Sequence, residues 1–229
     1  MLTLALDTST RRGSVAIGET GGAAVRVLGE AVLRVSATHS ETILPAVDGI
    51  VRSAGLAPAD LEAVVVGAGP GSFTGIRIGA ALARGVCFPA RAPLFAYSSL
   101  AAIAAGSGES GAVCALVDAR RDQVYAAGYD VGPGGLERRF DPRAGALAEL
   151  LDELGPSSWT FSGVLSAEQR AAIERAGGVV LPAERGWPTA SALLRLVHQA
   201  PEAGRVADRA RWEPEYVRTS SATRRMENG

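Results

Sequence analysis

Leu2-Thr-Leu-Ala-Leu-Asp-Thr-Ser-Thr10, followed after Arg11 and Arg12 by Gly13-Ser-Val-Ala-Ile17, is the stretch that decides the fold. An apolar run, a polar turn opened by an aspartate and a second apolar run predict a strand, a turn and a strand returning antiparallel. The pattern recurs in the second half: Cys114-Ala-Leu-Val-Asp118, then Ala-Arg-Arg-Asp122, then Gln123-Val-Tyr-Ala-Ala-Gly-Tyr129. Asp7 and Asp118 fall at matching places. Between the two copies, Gly106-Ser-Gly-Glu-Ser-Gly111 has the composition of a linker. Two related α/β lobes are expected, residues 1–106 and 107–218, with residues 219–229 as a disordered tail.

Working outward, a third β-rich run covers about Ala24 to Val35, after Gly21-Gly22. From Ser40 the period becomes helical, with Ile43, Leu44, Val47, Ile50 and Val51 on one stripe and Gly55 placed to end it. A short strand (Ala63 to Val66) leads into the loop Gly67-Ala-Gly-Pro-Gly-Ser-Phe-Thr-Gly75. A second helix is expected from Ile76 to Phe88 with Pro89 beyond its end, then a strand around Leu94-Phe95-Ala96 and an alanine-rich helix from Ser98. Helical segments are expected at about Arg143 to Leu154, Ala167 to Ala176 and Thr189 to His198.

Composition narrows the chemistry. A chain of 229 residues, 47% hydrophobic and 21% charged, can bury a full core. A formal net charge of -1 gives no overall attraction to a polyanion, so the chain is not an obvious platform for a nucleic acid. All 23 basic residues are arginine; a GC-rich genome accounts for this, and Schiff-base and P-loop lysine chemistries drop out. Cys87 and Cys114 stand far apart, as expected of free thiols in a reducing cytoplasm. No signal-peptide pattern opens the chain and no run is long enough to span a membrane, so a cytoplasmic location is expected.

Two features could carry chemistry. In the turn Asp7-Thr-Ser-Thr10, an aspartate and hydroxyls between paired strands can meet phosphate and a hydrated metal, or form an Asx turn that satisfies local amides. Asp7, Ser9 and the equivalent Asp118 are thus the candidate cofactor contacts. The loop Gly69-Pro-Gly-Ser-Phe-Thr-Gly75 can offer amides to an anion at a helix start, or simply turn tightly so that the helix packs, with Phe73 plugging an apolar surface. It is neither a Walker loop, lacking the lysine, nor a Rossmann fingerprint. Both readings of each feature stand open. No metal site is expected: the histidines, His39 and His198, are separated by most of the chain.

Gly69-Pro-Gly-Ser-Phe-Thr-Gly-Ile-Arg-Ile-Gly79 closely resembles the signature of the TsaB (YeaZ) family. Leu4-Ala-Leu-Asp-Thr-Ser9, His39-Ser-Glu41, Tyr97-Ser-Ser-Leu100, Val117-Asp-Ala-Arg-Arg-Asp-Gln-Val-Tyr125 and Pro214-Glu-Tyr-Val-Arg218 match as well; Asp122-Gln123 departs slightly. The resemblance implies an actin-like ATPase (ASKHA) fold of two ribonuclease H-like lobes. It also implies a non-catalytic subunit in formation of threonylcarbamoyladenosine at position 37 of tRNA. Its partners would be the catalytic paralogue TsaD and the ATPase TsaE, with ATP and metal held in those subunits and none of its own; a homodimer is the alternative for the chain alone. The paralogue's HxxxH metal pair has no counterpart here.

The surplus of apolar surface on the two first-lobe helices fits either a partner or a place between sheet and helix within one domain, and the resemblance implies the partner, TsaD or a second copy. The second helix is apolar or small on nearly all sides, with Arg77 and Arg84 as its only charges. Ile43, Leu44, Val47 and Ile50 of the first helix and Ile76, Gly79, Ala80, Leu82 and Ala83 of the second are the expected contacts. A stand-alone ASKHA-type small-molecule kinase or ATPase using Asp7 and Asp118 is the competing expectation.

Overall fold

Two five-stranded sheets repeat one strand order. The computed structural model describes residues 1–34, 41–120, 122–214 and 216–217. In the first sheet β1 (Leu2–Asp7), β2 (Arg12–Glu19), β3 (Arg26–Arg34), β4 (Ala63–Gly67) and β5 (Leu94–Tyr97) lie in the order β3-β2-β1-β4-β5. In the second, β6 (Gly111–Arg120), β7 (Gln123–Gly132), β8 (Gly135–Ala146), β9 (Thr160–Val164) and β10 (Val179–Val180) lie in the order β10-β9-β6-β7-β8. Read from β8, this is the first order again, with β6 in the place of β1. In each sheet the opening strand pairs antiparallel with its hairpin partner and parallel with a later strand. The repeated aspartate turn is therefore one corner of a repeated topology, the two-lobed ASKHA architecture.

Seven α-helices among the described residues build the remaining layers: α1 (Ile43–Ser53), α2 (Phe73–Ala90), α3 (Ser99–Gly106), α4 (Leu147–Leu154), α5 (Ala167–Arg175), α6 (Ala190–Gln199) and α7 (Pro201–Gly204). One core cluster joins α1 and α2 to the outer face of the first sheet through Leu4, Leu6, Val64, Val66, Ile43, Val47 and Ala83. A central cluster holds α3 and α6 between the sheets, with Ala5, Ala16 and Val65 on one side and Val113, Ala115 and Ala127 on the other. A third places α4 and α5 on the far face of the second sheet. Strands β1, β4 and β6 are covered on both faces, which explains their unbroken apolar runs.

The chain does not keep its halves apart. α6, from the second half, lies on the first sheet: Leu193 and Leu194 join Ala5 and Ala16 in the central cluster, and the Ala190 amide donates to Ser14 Oγ at 2.8 Å. After α7 the chain returns to the edge of β5, where Arg205 bridges Phe95 and the Val206 amide donates to the Leu94 carbonyl at 3.0 Å.

Two element boundaries differ from the sequence reading. Residues 143–146, expected to open a helix, extend β8, because Tyr125 and Ala126 pair with Ala144 and Arg143; Pro142 and Gly145 are poor helix formers. α2 begins at Phe73 and runs through Pro89 to Ala90, Arg91 closing it in the left-handed conformation. In a final turn a proline costs little, since the carbonyl it leaves unpaired faces water. Gly55, with φ of 73°, follows the end of α1 as expected. The expected His39-Ser40 helix start and the tail from 219 lie outside the described residues. No helix among the described residues is long and apolar enough to cross a membrane.

Candidate functional site

β1 delivers Asp7 to its C-terminal end, where the carboxylate is fully buried. Oδ1 accepts from the Ser9 amide (2.8 Å) and Ser9 Oγ (2.7 Å), the Asx-turn geometry; Oδ2 accepts from Ser99 Oγ at 2.7 Å. The Ser99 hydroxyl also accepts from the Gly69 amide (3.2 Å), so one serine at the start of α3 ties the aspartate turn to the glycine loop. A buried carboxylate held by several donors is a strong structural node.

The structure also shows how the loop meets that turn. The Ser72 amide donates to the Ser9 carbonyl at 2.7 Å, and Thr8 Oγ1 donates to the Gly75 carbonyl at 2.7 Å. Ser72 caps α2, its Oγ accepting from the Gly75 amide. Gly71 lies against the Ser9 carbonyl and Gly75 against the Thr8 carbonyl so closely that a Cβ at either would overlap it. At these two glycines backbone presses directly on backbone, as the packing reading of the loop expects. Of the amides at the start of α2, that of Gly75 is given to Ser72.

Asp118 lies at the matching corner but in different surroundings. It is exposed, and its Oδ1 accepts from the Arg120 amide (2.9 Å) and Gln169 Nε2 (3.0 Å). A bulge between Asp118 and Arg120 and positive φ at Arg120 and Asp122 tighten this hairpin. Asp7 and Ser9 are brought together, while Asp118 is anchored to α5 through Gln169. His198 Nδ1 accepts from the Gly21 amide at 3.1 Å, which ties α6 to the β2–β3 turn. No group of three or more potential metal-ligating side chains occurs among the described residues. Both cysteines are buried and free; burial pushes the Cys87 thiol up and that of Cys114 up to about 12, leaving them protonated.

The nine residues expected at a partner surface divide. Ile43, Val47, Ile76, Gly79, Ala80 and Ala83 are buried within the lobe itself, Gly79 against Thr8, and this corrects their assignment as surface contacts. The physical reason is helix rotation: the most apolar stripe of each helix turns to its own sheet. Ile50 and Leu82 are partly buried at the margin of that core, and Leu44 is 55% exposed. The outward flank consists of Leu44, Pro45, Asp48 and Gly49 on α1 and Thr74, Ala81 and Gly85 on α2, with Arg77 and Phe88 exposed at its rim. A Cβ at Gly49 or Gly85 would meet nothing within 4 Å, so both helices present bare backbone outward. The spacing of Thr74, Ala81 and Gly85 carried that signal, but their modest hydrophobicity hid it beside Ile76 and Ile78.

The returning C-terminal strap, residues 205–214 and 216–217, was not foreseen as part of this surface. It runs along α2 beside the open flank. Arg209 donates to the carbonyls of Ala92 (2.6 Å) and Cys87 (3.3 Å) and lies over Phe88. Arg77 Nε donates to the Tyr216 hydroxyl at 3.1 Å, its guanidinium 4.0 Å from the Phe73 ring centre. Phe73 and Tyr216 meet with ring centres 5.1 Å apart.

Comparison with known proteins sets this geometry in context. A family model described as TsaD, tRNA N6-adenosine threonylcarbamoyltransferase, matches residues 33–182. The Escherichia coli tRNA threonylcarbamoyladenosine biosynthesis protein TsaB is 31% identical over 99% of this chain and 98% of its own length. The Bacillus subtilis protein of the same name is 36% identical over 67% of this chain and 66% of its own. The solved structure of YeaZ from Pseudomonas aeruginosa superposes with a TM-score of 0.75 at 28% identity, covering 94% of this chain and 99% of that one.

Proposed function

The chain belongs to the TsaB (YeaZ) family, and on that premise we propose that it is the non-catalytic subunit of a tRNA threonylcarbamoyladenosine-forming complex. In this reading it pairs through the outward flank of α1 and α2 with TsaD, acts together with TsaE, and supports threonylcarbamoyl transfer to adenosine 37. ATP and metal are taken by those partners, and tRNA is met through the assembled complex. The observation that carries the reading is a contrast within the first lobe. Asp7 is buried and engaged by Ser9 and Ser99 with the glycine loop pressed onto its turn, whereas the helices outside it leave Leu44, Ala81 and Gly85 uncovered. Bare backbone on a helix flank lets another helix approach closely.

Reconstitution with the TsaD and TsaE of the same organism tests it. Modification of tRNA should require this chain, and Ala81→Arg or Leu44→Glu should lower complex formation at least tenfold while the thermal midpoint stays unchanged. Unaltered binding by both variants would remove the interface assignment. Tight magnesium-dependent ATP binding by the isolated chain, abolished in Asp7→Ala, would favour the stand-alone kinase instead.

A further inference from the structure

α2 carries only two charges, Arg77 and Arg84, and no acidic residue. At about 100° per residue, Phe73, Arg77, Arg84 and Phe88 fall along one stripe of the helix, with Thr74, Ala81 and Gly85 along the next. The strap occupies the first stripe and leaves the second open. Arg84 Nη1 lies 3.5 Å from the carbonyls of Ala210 and Trp212, long contacts at the limit of a hydrogen bond. Arg77 is held more firmly, by the Tyr216 hydroxyl and against the Phe73 face. Tyr216 is 40% exposed and Phe73 54% exposed, so this sandwich is a surface clamp, and the fold's core does not depend on it.

We infer that the C-terminal strap is a positioning element for partner docking, with Tyr216 holding the Arg77 guanidinium off the outward face of α2. The inference rests on the reading of that face as the site of helix pairing. A guanidinium on a flexible stem next to Ala81 and Gly85 would have to be desolvated, or displaced, when an apolar helix approaches. Stacked on Phe73 and bonded to Tyr216, it stays at the rim and the stripe beside it stays uncharged. Tyr216 thus acts through Arg77, and its effect is conditional on the charge there.

The test uses the full chain and purified TsaD from the same organism, with affinities from calorimetry and thermal midpoints recorded in parallel. Tyr216→Ala should weaken binding about tenfold and Tyr216→Phe about threefold, with midpoints unchanged. In an Arg77→Met background Tyr216→Ala should cost less than twofold, because no charge remains to be held. Tyr216→Ala binding like the parent would overturn the inference. An equal loss in both backgrounds would overturn it too, making Tyr216 a direct contact. If the unmodified chain fails to bind TsaD, the pairing assignment falls and this inference with it, whereas binding with indifferent Tyr216 variants sinks only the inference.

Discussion

Asp7 is fixed at the end of β1 by neighbours on both sides. Its oxygens accept from Ser9 and Ser99, and the loop beyond is pressed onto the turn at Gly71 and Gly75. Gly75→Ala should therefore act on stability: its methyl would overlap the Thr8 carbonyl and crowd Ser72 Cβ. A cost of about 1–3 kcal/mol is expected from overpacking of this kind, read as a lower denaturant midpoint with an unchanged slope. An unaltered midpoint would mean that loop and turn part easily. The Asp7 turn was legible because its signals are local, an aspartate two residues before a serine between apolar runs. The closure of the loop was not, since glycines that admit a phosphate and glycines that admit a carbonyl look alike in sequence.

Elements were legible where their period was unmixed. α1 and the β1–β2 hairpin follow directly from spacing, whereas β8 and α4 share a boundary that only pairing with β7 could place. Which stripe of α2 faces outward was hidden for a related reason: an all-apolar or small helix leaves its rotation to be set by Leu6, Thr8 and the sheet beneath. The strap was the least legible, because Arg209, Trp212 and Tyr216 find their partners more than a hundred residues away in sequence. α5 offers a check at this scale. Ser166 and Gln169 form a capping box, and Gln169 also donates to Asp118, joining the helix to the β6–β7 hairpin. Ser166→Ala should cost about 1 kcal/mol, with faster amide exchange confined to the first turn of α5. A loss spread evenly over the molecule would argue against a local cap.

For the molecule as a whole, the layer between the sheets gives the pH response. Tyr97 on β5 and Tyr129 on β7 both belong to the central cluster. Burial pushes each phenol from its ordinary value of 10.0 up to about 12. The folded chain therefore holds these two protons where the unfolded chain has released them. Stability from this source is complete below about pH 10 and drains away as pH climbs toward 12. Urea midpoints should be level up to pH 9 and fall above 10, with phenolate absorbance rising in step with unfolding; phenolate appearing while the fold persists would show the layer to be open to water. The same layer carries a consequence for biosynthesis. Because α6 supplies the second cover for β1 and β2, a ribosome must extrude the chain through Gln199 before its earliest strands are enclosed. Until then the nascent first sheet is a natural client for a holding chaperone.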